Sequence, residues 1–111
     1  MRDDEKLQQH IADIGTRYLK RTLGELAQLR DCLQEIRNGS GAAIQELARF
    51  AHKIHGSGAM FGFDAISERA DELERLANFQ NATPEGVDKL EACIAALEQE
   101  VVNEARARGV E

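Results

Sequence analysis

Tryptophan is absent from this 111-residue chain, proline occurs once, and aromatic residues make up only 5%. Aromatic residues favour strands and proline favours turns, so their scarcity argues against a β-sandwich or barrel. The two cysteines, Cys32 and Cys93, have no CxxC pair or Cys/His cluster around them. That spacing does not suit zinc and points to reduced thiols on helices, as in a cytoplasmic protein. No stretch approaches the roughly 18 uninterrupted apolar residues of a membrane span. The opening Met1-Arg2-Asp3-Asp4-Glu5 is too polar for a secretory signal. Bases are outnumbered, 14 against 20 acids, for a net charge of −6. Neither a nucleic acid, whose phosphates need neutralising, nor an anionic membrane is an expected partner.

What the chain does have is apolar residues at helical spacing almost throughout. Leu7, Ile11 and Ile14 predict a short amphipathic helix over about 4–13, with Gly15-Thr16 as a soft break. A longer helix follows to about Arg37, with Leu19, Leu26 and Leu33 on one row and Leu23, Leu29 and Ile36 on the next. Asn38-Gly39-Ser40-Gly41 ends it, and Ser40 is suited to cap the next helix. That helix is expected over about 41–61, burying Ile44, Leu47, Phe50, Ile54 and Phe61 and closing at Gly62. Asp64 opens a fourth stretch with Ile66, Ala70, Leu73 and Leu76-Ala77 inward, and residues 78–83 read as a loop. Thr83-Pro84-Glu85 is a strong helix start. Val87, Leu90, Ile94, Leu97 and Val101 carry the last stripe, which is expected to fray beyond about Arg106. These elements predict a single all-α domain over residues 1–111. Its architecture is an up-down-up-down antiparallel four-helix bundle with the short extra helix capping one end.

One segment is costly for its place. Gly56 and Gly58 fall inside the helix that ends near Phe61, each at about 0.5–1 kcal/mol relative to alanine. With about 100° per residue, Gln45, Ala48, Gly56 and Ala59 lie within about 40° of His52. Arg49, His55 and Met60 flank that strip at about 60–80°, and Lys53 lies near 100°. Leu47, Phe50, Ile54 and Phe61 take the opposite side, and Ser57 points sideways or inward at about 140°. His52 therefore projects outward with small neighbours. The absent side chain at Gly56, one turn on, leaves room for a partner to approach the imidazole.

The residues His52, Ile54, His55, Gly56 and Ser57, followed by Phe61, Gly62 and Phe63, resemble the signature of histidine-containing phosphotransfer domains. That signature is His-x-Leu-Lys-Gly-Ser, followed by a hydrophobic residue, glycine and another hydrophobic residue. Ala51 fits upstream, and Ile66, Ala70, Leu73 and Glu74 keep the rhythm of the following helix. The resemblance implies a phosphorelay intermediate in two-component signalling, with His52 as phosphoacceptor. It implies receiver domains and a hybrid histidine kinase as partners, and no ATP-dependent kinase activity of its own. No phosphate-binding glycine loop is present.

On this reading the protein needs no cofactor or metal site, because Mg²⁺ comes with the receiver, and a monomer suffices. Lys53, His55 and Arg49 would supply positive potential, and Gly56 clearance. Gln45, Ala48, Ala59 and Met60 would form docking surface, and Ser57 and Gly62 structural support. His55 departs from the family's usual lysine or arginine. An imidazole, with an ordinary pKa of about 6.5, is only partly charged at neutral pH. Transfer is therefore expected to depend more steeply on pH between about 6 and 8 than in lysine-bearing relatives. Two rivals are an adaptor or kinase-docking helical module and a metal-binding bundle built on His10, His52 and His55. The latter lacks the Glu-x-x-His pattern of carboxylate bundles, since Arg49 and His52 stand where the acids belong.

Overall fold

The computed structural model describes residues 2–79 and 83–110. Within them lie four helices, α1 (Arg2–Arg37), α2 (Ala42–Met60), α3 (Asp64–Phe79) and α4 (Pro84–Ala107). Each touches its neighbour in sequence, and α4 returns to α1. Leu19, Leu29, Ile36, Leu47, Ile54, Ile66, Leu73, Leu90, Ile94, Leu97 and Val101 are all but fully buried between them. The paired positions run in opposite senses. Arg30 on α1 meets Glu98 on α4, while Arg37 meets Glu91 and Asp88. On α2 and α3, His52 meets Glu74 and His55 meets Ser67. Cys32 is buried on α1, and burial pushes its thiol up to about 11, so it stays protonated.

The break expected at Gly15-Thr16 does not occur: α1 is continuous, so there is no separate N-terminal helix. Gly15 is buried, and a Cβ there would stand 3.0 Å from the Arg108 guanidinium and 3.5 Å from the Phe63 ring. The glycine makes room for a close approach. Continuing the helix costs about 1 kcal/mol for that glycine, whereas a break leaves terminal N–H and C=O groups without partners. Nor does the first segment cap the bundle. A 36-residue helix is about 54 Å long, nearly the whole 57 Å length of the molecule. The shorter helices do not reach its start, and Leu7 and Ile11 stay 57% and 60% exposed.

Three other expectations change in detail. Phe61 is 38% exposed rather than core, because α2 stops at Met60 and Phe61 is its C-cap. Phe63 goes inside instead and stacks on Tyr18 at 5.5 Å between ring centres. Gly62 makes this possible with φ +81°, while the Phe63 amide donates back to Gly58 O at 2.8 Å. Ser40 does not cap α2. Gly41 holds the N-cap position without a side-chain bond, and the Ser40 amide is spent on Glu35 O at the end of α1. Helix α3 continues to Phe79, so the expected loop is shorter at its start, and its positions 80–82 lie outside the described residues. Helix α4 ends at Ala107, next to the expected Arg106. Val110 is buried and its amide donates to Ala105 O at 2.7 Å, while Arg108 lies over the Phe63 ring. At the start of α4, the Thr83 hydroxyl accepts from the Gly86 amide at 3.1 Å, and Pro84 follows at N1.

Candidate functional site

Helix α2 presents one face to solvent and another to α3. On the solvent face His52 is 71% exposed. Its Nδ1 lies 3.1 Å from one carboxylate oxygen of Glu74 and 3.0 Å from the other. A carboxylate only accepts, so Nδ1 carries the hydrogen. In the neutral ring the lone pair then belongs to Nε2, the nitrogen farther from the backbone. Glu74, on α3, is only 23% exposed and holds the ring from below.

Around the ring the surface is low. A Cβ at Gly56 would meet nothing within 4 Å. Gln45, Ala59 and Met60 are exposed, Met60 to 80%, and Ala48 is half-buried. Arg49 and Lys53 are exposed on the same helix. His55 is placed differently from these cations. It is half-buried, with Nδ1 3.0 Å from Ser67 O and 2.9 Å from Ser67 Oγ. Ser57 donates its hydroxyl to Lys53 O one turn back at 2.8 Å and lies 3.1 Å from the Tyr18 hydroxyl. Gly62 stands past the end of α2, away from the ring, as the left-handed residue of the turn.

The two helix glycines have different surroundings. At Gly58 a Cβ would stand 3.2 Å from the Ser67 amide nitrogen and 3.4 Å from its Cα. Gly58 therefore lets α2 and α3 close on each other, while Gly56 leaves the solvent face bare. Two residues of the site, Glu74 and Ser67, have no role assigned by the sequence. Both come from α3, and only the register of α3 against α2 brings them to the histidines. Among the described residues no three His, Cys, Asp or Glu side chains gather as a metal-ligand group. No helix among them is long and apolar enough to cross a membrane.

The arrangement offers an exposed imidazole on a helix, backed by a carboxylate, with bare backbone alongside. The family model of the Hpt domain matches residues 5–100 of the chain. Comparisons with curated proteins and with solved structures each return no match.

Proposed function

This chain belongs to the Hpt domain family, whose members carry out phosphotransfer in two-component signalling, and from that premise we propose that His52 is its phosphoacceptor. The protein relays a phosphoryl group from the aspartate of one receiver domain to that of another, within a pathway fed by a hybrid histidine kinase. The observation that supports this most is the His52 ring itself: 71% exposed, with Nδ1 engaged by Glu74 and Nε2 left for chemistry beside Gly56.

In the forward step, Nε2 of His52 attacks the phosphorus of the aspartyl phosphate in line. The N–P bond forms as the P–O bond to the aspartate breaks, and the aspartate departs as a carboxylate. No proton has to move. The phosphorylated ring keeps its Nδ1–H and is formally cationic, and the Glu74 carboxylate 3.0 Å away balances that charge. Positioning and charge stabilisation are most of what phosphoryl transfer requires. The Mg²⁺ and its ligands belong to the receiver. Arg49 and Lys53 add positive potential at the rim, and Gln45, Ala48, Ala59 and Met60 meet the partner around Gly56. The bundle is up-down-up-down, a reading supported by the opposite running of the inter-helix pairs. The protein acts as a cytoplasmic monomer without kinase activity.

The test is incubation with a phosphorylated receiver domain. Acid-labile, alkali-stable phosphate is expected on the wild-type chain and none on His52→Gln. A wild-type chain that docks the receiver but stays unlabelled would leave only the adaptor reading.

A further inference from the structure

Ser67 lies at a close approach of α3 to α2, held from two sides. Gly58 lets the α3 backbone in, since a Cβ there would be 3.2 Å from the Ser67 nitrogen. From one turn back, His55 reaches across with Nδ1 3.0 Å from Ser67 O. A carbonyl oxygen only accepts, so Nδ1 of His55 carries the hydrogen, shared with the Ser67 hydroxyl oxygen at 2.9 Å. The hydroxyl's own proton goes the other way, to the His55 carbonyl at 2.8 Å. The two residues thus exchange hydrogen bonds across the seam in part-buried surroundings, where such bonds hold geometry more firmly than in water.

The consequence falls at the other histidine. Ser67 and Glu74 lie two turns apart on the face of α3 that meets α2. A slide or roll of α3 at Ser67 carries Glu74 with it, and the contact between Glu74 and His52 Nδ1 does not survive a displacement of about 1 Å. We infer that the His55–Ser67 pair pins the register of α3 on α2, so that His55 is a positioning residue for reaction at His52 and not the cation that steadies the phosphoryl group. This inference rests on the reading of His52 as acceptor.

Three variants separate the two roles, with two readouts: the ¹⁵N shifts of the His52 ring, which report whether one tautomer is held, and the rate of phosphoryl uptake from a phosphorylated receiver. In His55→Asn the amide N–H can still donate to Ser67 O, so a single His52 tautomer and a rate within about two-fold of wild type are expected. His55→Leu loses the ring's donor to Ser67 and keeps only the hydroxyl's bond to the residue-55 backbone carbonyl, and its His52 ring is expected to populate both tautomers, with uptake about ten-fold slower. His55→Lys restores the family's usual cation but replaces the planar ring donor at Ser67 with a flexible ammonium that does not fix the distance between the helices, and is expected to behave like His55→Leu. An His55→Lys protein as fast as wild type or faster, with the His52 tautomer unchanged, overturns the inference. Should His55→Leu fail to fold, Asn against Lys still decides. If the wild-type chain takes up no phosphoryl group, the relay reading fails, yet the tautomer measurement still tests the pin.

Discussion

Two glycines and two histidines share barely two turns of α2, and within each pair the surroundings are opposite. Gly56 and His52 belong to the open face, where a Cβ at Gly56 touches nothing and the His52 ring stands 71% exposed. Gly58 and His55 belong to the seam with α3, where a Cβ would press on backbone and the imidazole is committed to Ser67. One helix face is arranged for a visitor and the other for a permanent neighbour. Residue type alone does not separate function from structure here; the neighbour within 4 Å does.

The sharpest way to break this contrast is to remove each histidine in turn. His52→Gln is expected to abolish phosphoryl uptake entirely while leaving the melting temperature within a degree or two, because the replaced side chain is mostly in water. A large loss of stability in that variant would place His52 in the fold and dissolve the distinction. Gly58→Ala attacks the seam. The new methyl meets the Ser67 backbone, which cannot swing aside as a side chain can, at a cost of roughly 1–3 kcal/mol. Helix propensity returns about 1 kcal/mol, so denaturant unfolding should show a net loss of up to about 2 kcal/mol.

Glu74 joins the two faces, and its replacements sharpen the comparison further. Glu74→Gln keeps an oxygen to accept from Nδ1 but removes the charge that offsets the phosphorylated ring. A charge pair at this distance near water is worth about 1 kcal/mol, hence about a five-fold drop in the phosphorylated fraction at equilibrium with a receiver. Glu74→Leu should in addition release the ring tautomer. An unchanged phosphorylated fraction in Glu74→Gln would mean that the carboxylate only orients the ring.

Much of this was legible in residue spacing. Periodicity gave the buried rows of α3 and α4, the stop at Gly62 and the start at Thr83-Pro84, because each depends on residues within a turn or two of one another. The outward projection of His52 followed from the same arithmetic. What spacing cannot carry is contact between distant segments. Gly15 looks the same in sequence whether it breaks a helix or makes room for Arg108, and the structure has the second. Phe61 lies outside the core and Phe63 inside it because α2 ends one residue earlier than its apolar row suggests. Glu74 and Ser67 were visible as residues of a helical rhythm. Their partners depend on how α3 lies along α2, a register that no single helix contains.

The smallest expected effect is also the one that most directly opposes the two glycines. Gly56→Ala adds a methyl to open space in an α-helix, with no neighbour to disturb. The unfolded chain loses backbone freedom and the helix gains a better former, so unfolding should cost about 0.5–1 kcal/mol more than in wild type. The same change two residues on lowers stability, so the pair should differ in sign, as read by paired denaturant titrations. Uptake by Gly56→Ala should fall, because the methyl occupies the clearance that the receiver uses beside His52. A chain that is more stable and also slower separates what this glycine does for the fold from what it does for the partner. If Gly56→Ala were destabilised like Gly58→Ala, the face around His52 would be closed by contacts of its own, and the contrast between the two sides of α2 would fall.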